Sequence, residues 1–190
     1  YDGTLQNGVS AIERTLSHID FPWPVPSKPM MFWSQTGQEE MSASGTSFLN
    51  RAEASAVEKC VTHLLNAGVS PEQIGVVTPY EGQRAYVVQH MTRVGVLHPQ
   101  LYKDIQVASV DSFQGKEKDF IIMTCVRSNE KSGIGFVSDP RRLNVAITRA
   151  RSGLIVIGNP KVLNKQHLFH EMLTHFRENG CLVEGTLGSL

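Results

Sequence analysis

The sequence predicts an α/β fold: a mostly parallel sheet flanked by helices on both faces. Two observations lead to that class. The apolar runs at residues 30–34, 74–77, 120–126 and 154–157 are short and nearly continuous, as in strands buried on both faces. Between them lie segments with apolar residues at helical spacing, and strands that alternate with helices form a parallel sheet covered on two sides.

Each element follows from local chemistry. Residues 1–29 lack a regular period, and Pro22, Pro24, Pro26 and Pro29 around Trp23 favour extended backbone. This stretch is expected as an arm on the domain proper, residues 30–190. Residues 37–48 are rich in Ser, Thr and Gly and read as a loop. Asn50 with Glu53 three positions on resembles a capping box. Ala54, Val57, Val61, Leu64 and Leu65 then continue as a helix, with Gly68 at its end. A strand over 74–77 precedes a helix from Glu81 to about Met91. Residues 105–110 read as a strand followed by a polar loop to Lys118, and 120–126 as a nearly continuous apolar strand. Pro140 after Asp139 opens a helix to about Arg151. Residues 154–157 form a last buried strand, ended by Gly158-Asn159-Pro160, and a helix spans 162–176. Three polar loops, 78–84, 109–119 and 139–151, are expected at the C-terminal ends of strands, where open α/β sheets place their sites.

Composition excludes several classes. The 190 residues carry 18 Lys+Arg against 18 Asp+Glu and are 41% hydrophobic, so the chain is globular rather than disordered. The zero balance counts against a uniformly basic nucleic-acid coat. The average hides a gradient: residues 139–165 carry six basic side chains against Asp139 alone, which places positive charge beside the motif loops. Cys60, Cys125 and Cys181 are isolated and odd in number, so neither a disulfide framework nor a cysteine zinc site is indicated. Free thiols fit a reducing, intracellular setting. No apolar run reaches the ~18–20 residues of a membrane span. The chain starts at Tyr1 without Met and is expected to be a piece of a longer protein. His167, His170 and His175 with Glu171 miss the His-Glu-x-x-His spacing by one residue and read as a solvated helix. Cys125 within an apolar strand reads as core.

The chemistry lies in the loops. No Gly-x-x-x-x-Gly-Lys-Ser/Thr segment occurs, so the chain has no phosphate-cradling loop of its own. In the segment 109–119, Asp111, Gln114 and Glu117 supply acceptors and amides around Gly115, which permits close backbone approach to a ligand. By composition alone this segment fits a solvated surface loop equally well. In the segment 139–151, Arg142 and Arg149 lie two helical turns apart above a stripe of Leu143, Ala146, Ile147 and Ala150. An arginine beside a sheet edge can neutralise developing phosphoryl charge; an amphipathic helix with a solvated basic face is the commoner use of such a pattern.

SVDSFQGKEKDFII at 109–122 and DPRRLNVAITRAR at 139–151 resemble motifs V and VI of superfamily-1 helicases. VVTPYEGQR at 76–84 resembles the motif that precedes them. Further stretches at 3–8, 37–54 and 127–140 extend the likeness, over essentially the whole chain, to the up-frameshift-type RNA helicases of nonsense-mediated mRNA decay. Lys116 and Ser112 stand where arginine and alanine are frequent in that family, conservative departures that leave the assignment in place.

The resemblance implies a second RecA-like domain, half of an enzyme that moves along single-stranded RNA using ATP in the cytoplasm, with other mRNA-decay factors as partners and no membrane. ATP and Mg²⁺ would be bound mainly by the first RecA-like domain, and a tyrosine-arginine nucleotide motif would lie just before Tyr1. By motif match Arg149 is the arginine finger, Glu117 accepts from the ribose and Gly115 allows its approach. RNA contacts fall on Thr78, Pro79, Tyr80, Gln83, Ser109, Asp111 and Gln114, suited to sequence-tolerant backbone binding. Tyr80 fits either base stacking or packing, and Arg142 and Asn144 are expected to brace motif VI against motif V. The fragment alone should lack ATPase activity. Two other functions fit the motifs: a related helicase acting on DNA or RNA–DNA hybrids, and a non-enzymatic docking module using the 37–47 loop and the Pro-rich arm.

Overall fold

In a computed structural model, the structure describes residues 19–113, 117–129 and 140–186, with the side chains of Asp111, Pro140, Arg142, Leu143 and Val145 left aside. Eight strands and six helices are described: β1 Met30–Ser34, β2 Glu39–Met41, β3 Phe48–Asn50, α1 Arg51–Asn66, β4 Ile74–Val77, α2 Glu81–Val94, α3 Pro99–Lys103, β5 Gln106–Ala108, β6 Lys118–Thr124, α4 Pro140–Thr148, β7 Ala150–Gly158, α5 Pro160–Leu163, α6 His167–Glu178 and β8 Leu182–Val183. Six of the strands form one sheet in the order β5-β4-β6-β7-β1-β8, and every pairing within it is parallel.

Alternation along each strand divides the core into two layers. Met31, Trp33, Ile74, Val76, Phe120, Ile122, Ile155 and Ile157 meet Val57, Val61 and Leu64 of α1 and Val87 and Met91 of α2. Met30, Phe32, Ile121, Met123, Leu154 and Val156 face the opposite way, against Ala146 and Ile147 of α4, Leu163 of α5 and Phe169, Leu173 and Phe176 of α6. The Pro-rich segment runs across the domain with Phe21 and Trp23 buried; their rings lie 4.5 Å apart, and His63 of α1 meets Phe21 edge-on.

Several boundaries differ from the sequence expectation, each for a local reason. The expected loop at 37–48 contains an antiparallel hairpin, β2 with β3. Its serine-rich composition belongs to the turn, where the Ser42 N–H donates to the Ser47 carbonyl. The strand expected over 105–110 keeps only three residues, because Val110–Phe113 coils into a 3-10 turn. That turn buries Val110 and Phe113, and Gly75 in β4 makes room for it: a Cβ there would lie 2.7 Å from the Phe113 ring. β6 stops at Thr124 because Val126 takes φ +72°. β7 begins four residues earlier than its apolar run, since Ala150 pairs with Lys118. The helix expected over 162–176 is two, capped separately by Asn159 and Gln166 side chains. Asn50 caps α1, and Gly68 follows its end at φ +97°, a left-handed conformation that favours glycine.

Candidate functional site

Because the sheet is parallel, its two edges carry different loops. At the C-terminal edge lie Thr78, Pro79 and Tyr80 after β4, Ser109 after β5, residues 125–129 after β6 and Asn159 after β7. Glu117 and Arg149 lie at the other edge, immediately before β6 and β7. β6 has seven residues, so the two edges are roughly 20 Å apart. This corrects the expectation that all three polar loops lie wholly at the C-terminal strand ends. The 109–119 segment begins at one edge and ends at the other, and α4 delivers Arg149 to the start of β7.

At the N-terminal edge the Lys118 N–H donates to the Arg149 carbonyl at 3.0 Å, so the two residues expected to touch nucleotide are brought together. Arg149 is half-buried, and its Nε is buried with no hydrogen-bond partner among the described residues. Glu117 is exposed beside it. Asp119 ties this edge together, accepting from Gln73 Nε2 at 2.9 Å and pairing with Arg151 at 3.3 Å. Gly115 and Gln114 lie outside the described residues, as do the side chains of Asp111 and Arg142. Motifs V and VI are braced by apolar packing of Ala146 and Ile147 around Val110 and Phe113. The Asn144 Oδ1 is buried with no hydrogen-bond partner among the described residues.

At the C-terminal edge the expected RNA residues separate into two groups. Pro79 and Tyr80 are half-exposed, as is Ser109, whose hydroxyl meets that of Ser112 at 3.2 Å. Thr78 and Gln83 are fully buried. Gln83 Oε1 accepts from the Asn50 N–H at 2.9 Å, and its Nε2 donates to the Asn50 carbonyl at 3.2 Å and Thr124 Oγ1 at 3.1 Å. Its amide is committed inside the domain, so in this structure Gln83 is a cross-brace between β3 and β6 rather than part of the exposed surface. The Thr78 side chain is likewise buried beneath this surface.

Beneath Tyr80 lies a polar cluster that sequence reasoning missed. Arg127 Nε donates to both Glu39 oxygens at 3.1 Å, and Glu39 Oε1 also accepts the N–H groups of Ser128 and Asn129 at 2.8 Å. Burial works against the charge on Arg127, but hydrogen bonds to Tyr80 and Glu39 leave its pKa raised. Glu53 closes no capping box. Its Oε1 accepts from Thr124 Oγ1 at 2.7 Å and the Val126 N–H at 2.9 Å, while Oε2 is buried with no hydrogen-bond partner among the described residues. Burial pushes this carboxyl up to about 7. The one available signal was a charged residue, Arg127, immediately beyond an apolar strand. Cys125 in the same turn is buried, and burial pushes its thiol well above the usual range. Farther along this edge a cleft of about 650 Å³ opens beside β1, lined by Gln35, Thr36, Ser55, Lys59 and Lys161 among others.

Residues 1–161 match the AAA domain family. The whole chain is 67% identical to the Regulator of nonsense transcripts 1 homolog of Arabidopsis thaliana, of which it covers 15%. It is 63% identical over its full length to ATP-dependent helicase upf1 of Schizosaccharomyces pombe and 58% identical to ATP-dependent helicase NAM7 of Saccharomyces cerevisiae, covering 20% of each. The chain thus spans a fifth or less of the length of these curated relatives.

Proposed function

The chain belongs to the AAA domain family, on its up-frameshift-type superfamily-1 branch, and from that membership we propose that it is the second RecA-like half of an ATP-dependent RNA helicase acting in nonsense-mediated mRNA decay. The six-stranded parallel sheet with helices on both faces is the fold that membership implies. In the proposed enzyme, single-stranded RNA lies on the C-terminal edge, at Pro79, Tyr80 and Ser109, with Asp111 and Gln114 from the same segment. ATP lies at the opposite edge, in the seam with a first RecA-like domain. There Glu117 accepts from the ribose and Arg149 reaches the γ-phosphate.

The observation that carries this reading is the path of the 109–119 segment, which starts beside Tyr80 and ends beside Arg149. In this reading the buried Val110–Phe113 turn is the link through which movement at one end would reach the other. The residues at the nucleotide edge fit the ligand. Arg149 brings a guanidinium, suited to phosphate charge, to this edge, and the exposed carboxylate of Glu117 beside it suits hydroxyl groups. When bound, ATP supplies the phosphoryl group that is transferred to water. Among the described residues no three His, Cys, Asp or Glu side chains converge to hold a metal, and Mg²⁺ is assigned to the first domain.

Arg149→Ala in the full-length protein should retain ATP binding and lower RNA-stimulated hydrolysis by about 10³-fold or more, as arginine fingers do. Steady-state ATPase combined with equilibrium nucleotide binding checks this, and hydrolysis within tenfold of the parent would overturn the assignment. Matched RNA and DNA strands in the same assay test the choice of nucleic acid. The isolated 190 residues should show no turnover.

A further inference from the structure

We propose that Arg127 is a positioning residue for RNA binding, which orients the Tyr80 ring through its hydroxyl and is itself held by Glu39. The inference rests on the reading of Tyr80 as an RNA contact.

The geometry is a chain of three side chains from three elements. Glu39 begins β2, Arg127 follows β6 and Tyr80 precedes α2. The Arg127 and Glu39 side chains are each only 6% exposed, so the pair is held out of solvent at the edge of a surface. The Arg127 fork is directed at two of its nitrogens: Nε donates to both Glu39 oxygens at 3.1 Å, and Nη1 donates to the Tyr80 hydroxyl at 3.2 Å. Its carbon lies 4.4 Å above the centre of the Phe48 ring. Phe48 in turn meets the Tyr80 ring edge-on, at 5.4 Å and 78°. Tyr80 is therefore fixed at its hydroxyl and along one ring edge, while the residue stays half-exposed. Glu39 cannot easily release the arginine, because two backbone N–H groups anchor its carboxylate.

A buried ion pair adds little net stability over an apolar pair of the same shape. What this pair supplies is direction: the planar fork sets both the distance and the angle of its partners, which a lysine cannot do. An aromatic ring held in one orientation loses less conformational freedom when a base stacks on it. The order of the contacts also explains why the hairpin β2–β3, itself remote from the motif loops in sequence, packs beneath them.

The test uses the full-length protein without nucleotide, a fluorescent single-stranded homopolymer RNA read by anisotropy, and thermal unfolding in parallel. Tyr80→Ala should weaken RNA binding roughly tenfold, in the range of one lost stacking contact. Tyr80→Phe keeps the ring and loses the tether; it should weaken binding severalfold with little change in melting temperature. Arg127→Lys should match the affinity loss of Tyr80→Phe, and the double variant should lose no more than either alone. A purely structural role would instead lower the melting temperature and add its full affinity loss in the Tyr80→Phe background. If Tyr80→Ala weakens binding but Tyr80→Phe binds like the parent, the positioning role is overturned and the RNA contact stands. Should Tyr80→Ala itself bind like the parent, the contact fails and this inference fails with it. Tyr80→Phe preserves the Arg127–Glu39 pair, so the test holds even if Arg127→Lys does not fold.

Discussion

Glu53 shows how far a local pattern can mislead about a single residue. Asn50 followed by Glu53 has the spacing of a capping box, and the first half forms: the Glu53 N–H donates to Asn50 Oδ1 at 3.1 Å. The second half does not, because the Asn50 N–H is taken by Gln83 and the Glu53 carboxyl turns inward to hold the Val126 N–H. That contact depends on a partner 73 positions away, which no window of sequence reveals. Val126 is a β-branched residue at φ +72°, a conformation that costs of order 1–3 kcal/mol and persists only where surroundings enforce it. Glu53 has a consequence for pH. Its pKa rises from 4.5 to about 7 on folding, chiefly through burial. The folded state then binds more protons than the unfolded state between these values. Stability is highest below pH ~4.5 for this group and falls as pH rises through 7, by about 3 kcal/mol in all. Glu53→Gln should flatten that dependence. Urea unfolding of the parent and variant chains at pH 5, 6, 7 and 8 checks it, and equal slopes for the two would refute the assignment.

At the scale of elements, buried periodicity was readable and edges were not. The central strands and α1 follow from nearly continuous apolar runs and helical spacing. The hairpin β2–β3 was hidden because its apolar content is confined to Met41, Phe48 and Leu49 around a polar turn. α3 and β8, of five and two residues, are too short to establish a period. The 3-10 turn at Val110–Phe113 was hidden for another reason: its burial depends on the glycine at position 75. This turn is the anchor of the segment that joins the two edges. Phe113→Ala should therefore destabilise the chain by about 3–5 kcal/mol, the usual cost of emptying a buried aromatic site. Ser112→Ala, one residue away and exposed, should stay within about 0.5 kcal/mol of the parent. Urea unfolding of the three proteins compares them directly; a cost below 1 kcal/mol at Phe113 would mean that the turn is not anchored there.

The whole molecule separates what the sequence puts side by side. Residues 139–165 hold six basic side chains, which look like one patch when read along the chain. β7 divides them: Arg149 stands just before its first residue and Arg151 is its second, while Lys161 and Lys165 lie beyond its last. Nine residues of strand span roughly 30 Å, so the positive charge serves two surfaces. Conversely, Glu117 and Arg149, far apart in sequence, are neighbours through the Lys118–Arg149 hydrogen bond. The motifs therefore disclosed which segments matter but not how the sheet sorts their residues between ligands. That sorting makes a prediction for the proposed helicase. Glu117→Gln should weaken ATP binding by about 10- to 100-fold, the range expected when a hydrogen bond to a charged group is lost, and leave RNA affinity unchanged when nucleotide is absent. Tyr80→Ala should do the reverse, weakening RNA while nucleotide affinity without RNA stays at the parent value. Coupling between the edges then surfaces only in the ternary complex, where each ligand changes the other's affinity by the same factor. Anisotropy titrations of labelled RNA and labelled nucleotide, alone and together, measure all four affinities. A Glu117→Gln protein that loses RNA affinity in the absence of nucleotide would show that the two edges are one site.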